Sequence, residues 1–384
     1  ALVLLLAVAA CGKEEPPSEP SLTLAPARFA DLAGWTEDEI LPALRAFRRS
    51  CDALLKRPPG EPMGPGGIAG TVGDWRPACE AARALPDDEA AARRYVEESF
   101  QPWQVSDRGK AEGLFTGYYE PLLEGARRPD ERFRHPLYKR PGDLISVDLG
   151  QFDEGLAGRR IAGKVQGGRL VPYASRGEID KGALAGRGLE LFWVADPVAH
   201  FFLQIQGSGQ IELPDGSRAR VGFADQNGHP YRAIGKDLIE MGALTREEVS
   251  LQTIRAWLRA NPERAPEVMA RNRAYVFFRE LDSRAEGPVG AQGVTLTPER
   301  SLAVDRKFLP LGAPVWLDAT APWPEGERPL RRLLVAQDTG GAIRGVVRGD
   351  VFWGAGPLAE HLAGHMKSPG RYYLLLPRHL APAS

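Results

Sequence analysis

From about residue 26 to 110 the apolar positions recur at helical spacing, and this part of the chain reads as helical. Thr36-Glu37-Asp38-Glu39 has the form of a capping box ahead of LPALRAFRRSCDALL, and DDEAAARRYVEESF predicts a second helix with its acids at the positive end of the dipole. Near residue 113 the pattern shortens into apolar and aromatic runs punctuated by glycine, beginning with GLFTGYYEPLLEG. GKVQGGRLVPY and GQIELPDGSRARVGF each place two strand-like runs around a Gly-containing turn and predict hairpins. Helical spacing returns after Thr245-Arg246-Glu247-Glu248, a second capping box, and Asn261-Pro262 predicts the start of another short helix. AYVFFREL, SLAVDRKF, APVWL and RRLLVAQD read as strands, AGPLAEHLAGHMK as a helix and RYYLLLP as a closing strand.

Composition adds three constraints. The 384 residues suffice for one large core or two ordinary domains, and 43 glycines with 33 prolines favour turns and short strands over a helical bundle. A net charge of −1 gives no reason to expect a nucleic-acid partner. The ten apolar residues before Cys11 are too few to span a bilayer and fit the core of a signal peptide that begins upstream. Val8-Ala9-Ala10-Cys11 resembles a bacterial lipobox, which implies a lipid on Cys11, and the polar stretch after it reads as a tether. An ordinary secretory signal with an incidental cysteine is the alternative. Cys51 and Cys79 then remain as an even pair, either bridged or packed as two buried thiols.

Several motifs carry little chemistry. His361 and His365 share a helical face, but HLAGH lacks the glutamate of a zinc HExxH site and reads as a plain helix face. DTGGAIRG lacks the Lys-Ser/Thr of a phosphate loop, and the QGSG around Ser208 is a tight turn rather than a nucleophile elbow. Three aspartates near the C-terminus stand out instead: Asp305, Asp338 and Asp350. Asp338 ends an apolar strand, and Val-Phe-Trp follows Asp350. An apolar setting and a neighbouring acid both raise a carboxyl's pKa, as a general acid requires.

AVDRKFLPLGAPVWL and QDTGGAIRGVVRGDVFWG resemble the three-aspartate (3D) domain. FTGYYEP, LFWVADPVAHFFLQIQGSG, NGHPYRAIGKDLI and AYVFFREL resemble the membrane-bound lytic murein transglycosylase A family, in that family's order over about residues 110 to 377. The resemblance implies a double-psi β-barrel with a second small β-barrel inserted in it. Its expected divisions are residues 1–11 (signal and lipobox), 12–25 (tether), 26–119 with 246–384 (catalytic barrel) and 120–245 (insert). It implies Asp350 as the acid, Asp338 and Asp305 as accompanying acids, and Thr116, Gly117, Tyr118, Gln206, Gly207, Ser208 and Tyr231 along a glycan groove. Aromatic faces and short polar groups suit sugars. The implied reaction cleaves the β-1,4 bond between N-acetylmuramic acid and N-acetylglucosamine in peptidoglycan, leaving 1,6-anhydro ends. It needs no cofactor and no metal, and places the protein in the periplasm on a lipid anchor, with the outer membrane the expected one. The competing readings are an inverting hydrolase with Asp338 as base, and a lipoprotein that binds peptidoglycan without cutting it.

Overall fold

The computed structural model describes residues 20–156, 159–281 and 287–380; Cys11 and the start of the tether lie outside them. A first strand β1 (Leu22–Pro26) precedes three helices, α1 (Ile40–Leu54), α2 (Val72–Ala84) and α3 (Glu89–Ser99). Two strands follow, β2 (Phe100–Asp107) and β3 (Gly113–Glu120). Next come β4 (Leu122–Ala126), β5 (His135–Tyr138), β6 (Ile145–Asp148), β7 (Arg160–Gln166), β8 (Arg169–Pro172), α4 (Arg176–Asp180), β9 (Glu190–Val194) and α5 (Pro197–Gln206). The hairpin β10 (Ser208–Glu212) and β11 (Arg218–Gln226) leads into α6 (Ile234–Glu240), α7 (Leu251–Ala260), α8 (Ala265–Arg271) and β12 (Val276–Leu281). The chain ends with β13 (Ser301–Val304), β14 (Pro314–Trp323), β15 (Gly326–Asp338), β16 (Arg348–Ala355), α9 (Pro357–His365) and β17 (Lys367–Pro377).

The order β17-β14-β15-β13-β16-β3, with β3 paired back onto β17, closes a six-stranded barrel. Two of its pairings are parallel, β13 with β15 and β16 with β3. Its strands read as continuous apolar runs because they are covered on both faces: every residue of β13 and all of Leu333–Gln337 are buried. On the outside lies α1, which turns Ile40, Ala43, Leu44, Phe47, Cys51 and Leu54 inward at helical spacing. Cys51 and Cys79 form a disulfide between α1 and α2, with Cα atoms 5.2 Å apart.

The second sheet runs β12-β11-β10-β4-β9-β5, and a bridge from Lys139 to Phe278 brings its two edges together. Both expected hairpins form, β7 with β8 and β10 with β11. The fold is the expected barrel with a second barrel inserted.

Several local expectations need correction. AYVFFREL is a strand, but it joins the second sheet, so the insert runs past residue 245. Phe277 and Phe278 face opposite sides and fill two separate cores there, which no single-faced position in the first barrel would allow. QPWQVSD is strand β2, not helix, because it pairs with β1 and β17. The Thr36 capping box does not form: Glu89 accepts from the Ile40 and Leu41 N–H groups instead, each at 2.8 Å. The Thr245–Glu248 bonds do form, yet α7 starts only at Leu251, capped by Ser250. Asn261 closes α7 rather than opening α8.

Candidate active site

Asp350 lies on β16 with two register partners. Across one edge it pairs with Thr116 of β3, and across the other with Ala303 of β13. Ala303 is in turn paired with Asp338 of β15. Thr116, Asp350, Ala303 and Asp338 therefore form one row across four strands. Paired residues share a face, so both carboxylates project to the same side, with Cα atoms roughly 9–10 Å apart across two strand spacings. The small, buried side chain of Ala303 is the only one between them in the row. Phe352, Tyr118, Leu296 and Ile343 pack with Ala303 into an apolar cluster beside the row.

The two acids have different surroundings. Both are half-buried. Asp338 is pushed up to about 6, chiefly by desolvation. Three donors oppose that: the Ala291 N–H at 2.9 Å on Oδ1, the Tyr118 hydroxyl at 2.9 Å on Oδ2, and the Thr339 N–H. Asp350 is also raised by desolvation, opposed by the Arg348 charge and by the Thr116 hydroxyl, which donates to its Oδ1 at 2.5 Å. Hydrogen bonds to the charged form favour it. Asp338 has three donors against one for Asp350, yet desolvation, with the Asp350 charge added to it, still raises its carboxyl.

The other expected site residues fall into place unevenly. Tyr118 is only 9% exposed, with its ring against Phe352 and its hydroxyl on Asp338. The open aromatic face expected for it is therefore absent; desolvation and the neighbouring Asp338 hold its phenol neutral. Gly117 is required by packing, because a Cβ there would lie 2.4 Å from Trp353 Nε1 and 3.0 Å from the Ala363 backbone. Gln206 ends α5 and its Oε1 accepts from the Tyr119 N–H at 3.1 Å, which ties Gln206-Gly207-Ser208 to the strand carrying Thr116. Gly207 takes the left-handed conformation that closes the helix. Tyr231 is 39% exposed and faces Gly341, in the loop that follows Asp338.

Asp305 does not join the pair. It is buried at the end of β13, where Oδ1 accepts from the Lys307 N–H at 3.1 Å and Oδ2 from the Gly345 N–H at 2.9 Å. Its carboxylate anchors the loop before β16, an Asp-turn role that the sequence pattern does not separate from an acidic one. Conversely, Arg348 sits beside Asp350 and was not singled out by the sequence. The available signal was its spacing: residues i and i+2 of a strand share a face. Among the described residues no cluster of His, Cys, Asp and Glu is arranged to hold a metal ion.

A closed barrel that carries two half-buried carboxyls in one row has the makings of an acid–base site on a β-barrel scaffold. The comparisons give it a family. Residues 114–279 match the MltA specific insert domain and residues 300–376 match the 3D domain. The structure superposes on the membrane-bound lytic murein transglycosylase from Agrobacterium tumefaciens with a TM-score of 0.82 at 33% identity, over 93% of this chain and 98% of that one. It also resembles MltA of Escherichia coli with bound chitohexaose, with a TM-score of 0.63 at 27% identity over 95% and 93% of the two chains. The membrane-bound lytic murein transglycosylase A of Vibrio cholerae is 35% identical over 68% of this chain and 65% of its own length. The chain belongs to the MltA family of lytic murein transglycosylases.

Proposed function

We propose that this protein is a peptidoglycan lytic transglycosylase with Asp350 as its acid and then its base. The observation that carries the reading is the unequal pair: two carboxyls in one row, one held by three donors and the other by one hydroxyl. A glycan strand would lie between the barrels, bounded by Thr116, by the Gln206-Gly207-Ser208 turn and by Tyr231. The similarity to a relative crystallised with chitohexaose supports a β-1,4-linked amino sugar as the ligand. Protonated Asp350 gives its proton to the oxygen of the muramic acid to glucosamine bond as the C1–O bond breaks. The carboxylate so formed removes the proton of the muramic C6 hydroxyl, and that oxygen closes onto C1. The two transfers are sequential, so one carboxyl serves both. Asp338, charged above about pH 6, would help to hold the proton on Asp350, and Tyr118 acts through Asp338. No attacking water is required.

An inverting hydrolase would need Asp338 to take a proton from water. Each of its oxygens already accepts from a protein donor, which favours a fixed supporting charge. A pure binding protein has no use for a raised, part-buried acid at the centre of its groove. The membrane-bound relatives support an envelope location, and lipidation of Cys11 would provide the attachment. Among the described residues no helix is long and apolar enough to cross a membrane.

The test is Asp350→Asn. Amide and carboxyl are nearly isosteric, so chitooligosaccharide affinity and folding persist while turnover falls by at least about 10²–10⁴-fold, the range for one general acid or base. Turnover within a few-fold of wild type would overturn the assignment.

A further inference from the structure

Beside Asp350 lies a chain of donors that fixes where its proton can sit. Arg348 Nη2 donates to Thr116 Oγ1 at 2.8 Å, and Thr116 Oγ1 donates to Asp350 Oδ1 at 2.5 Å. The direction of both bonds follows from chemistry. A guanidinium has five N–H donors and no acceptor. The Thr116 oxygen must therefore accept from Arg348, and its single proton turns to Asp350. Oδ1 accepts that bond, and since the carbonyl oxygen of a neutral carboxyl is the better acceptor, Oδ1 is favoured as the carbonyl and Oδ2 as the protonated oxygen.

We propose that Arg348 is a positioning residue: acting through Thr116, it confines the acidic proton of Asp350 to Oδ2. This rests on the proposed role of Asp350. Oδ2–H then faces the groove, gives its proton to the glycosidic oxygen, and Oδ2 afterwards takes the proton of the C6 hydroxyl; Oδ1 stays a pure acceptor throughout.

The placement of Arg348 is built in. Its Nη1 also donates to the Leu114 carbonyl at 3.3 Å and to the Gly349 carbonyl at 2.5 Å, so the guanidinium is clamped to the β3–β16 seam. Arg348, Asp350 and Phe352 alternate onto one face of β16, and Thr116 is the direct register partner of Asp350. The arrangement also limits how far the acid can be raised. The Arg348 charge and the Thr116 bond both favour the carboxylate that must form between the two steps, against the desolvation that favours the acid.

The test is the pH dependence of kcat/KM on soluble, uncrosslinked peptidoglycan glycan strands. Activity requires protonated Asp350, so it falls as pH rises through that group. Removing a stabiliser of the carboxylate moves this alkaline limb upward. Arg348→Gln and Thr116→Val should each shift it by about one pH unit and lower kcat. Thr116→Ser keeps the hydroxyl and should restore the wild-type profile. Thr116→Val is nearly isosteric and carries the test should Arg348→Gln fail to fold. A limb unmoved in Thr116→Val, or Thr116→Ser as impaired as Thr116→Val, overturns the relay. An inactive Asp350→Asn with an unmoved limb would discard the relay alone. An active Asp350→Asn would discard the underlying role as well.

Discussion

At the scale of single residues, each carboxyl in the site is set by the balance between its enclosure and the donors that reach it. Asp338 illustrates the energetic consequence. Its carboxyl titrates at about 6 in the folded protein, above the usual carboxylate range, because enclosure outweighs its three donors. The folded state therefore binds this proton more tightly than the unfolded chain does. Stability contributed by the neutral form is complete below about pH 4, and is lost as pH rises through about 6. The cost of the charged form at neutral pH reaches at most about 3 kcal/mol, since one pKa unit corresponds to about 1.4 kcal/mol. Asp338→Asn removes the titrating group. Its melting temperature relative to wild type should be higher at about pH 7.5 than at about pH 4. A difference independent of pH, or of opposite slope, would show that desolvation does not dominate there.

At the scale of elements, the N-terminal helices are tied to the barrel by polar groups that the sequence presents as something else. Asp38 sits inside an apparent capping box. Its carboxylate instead accepts from Arg300 Nη1 at 2.7 Å, from Arg300 Nη2 at 2.8 Å and from the Leu333 N–H at 2.8 Å. Both side chains are buried, with 5–6% of their surface exposed. Removing one partner strands the other charge in the interior. Asp38→Ala should cost about 3–5 kcal/mol in urea unfolding. The pair replaced together by Asp38→Leu and Arg300→Met should cost clearly less. Equal losses in the single and double variants would mean that Arg300 is not stranded. The elements themselves were largely readable. Hairpins with Gly-Gly and Pro-Asp-Gly turns are local, so GKVQGGRLVPY and GQIELPDGSRARVGF formed as expected. QPWQVSD was not readable, because its strand state depends on β1 and β17, far away in sequence. The partner of a capping acid is equally non-local, which is why Glu89 caps α1 while Asp38 turns to Arg300.

At the scale of the whole molecule, the site exists because barrel closure lays β3, β16, β13 and β15 side by side. Thr116 and Asp350 are 234 residues apart in sequence and adjacent in space. Long motif words around them made the family legible from the chain alone. The differing tasks of the three aspartates were not, because Asp305 and Asp338 both sit at the end of an apolar strand beside a Gly-rich segment. Only the donors that reach them distinguish a loop anchor from a partner of Asp350. The division between the barrels was blurred for a similar reason: Phe277 and Phe278 look like any buried strand until the core that receives each is known.

The central claim is that the sugar's own C6 hydroxyl, rather than water, attacks once Asp350 has given up its proton. Mass analysis of the muropeptides released from purified sacculi tests it most directly. Intramolecular closure adds no atoms, so the wild-type protein should yield 1,6-anhydromuramic ends and Asp350→Asn essentially none. Products that have gained one water and carry reducing ends would contradict the account and point to hydrolysis on the same barrel.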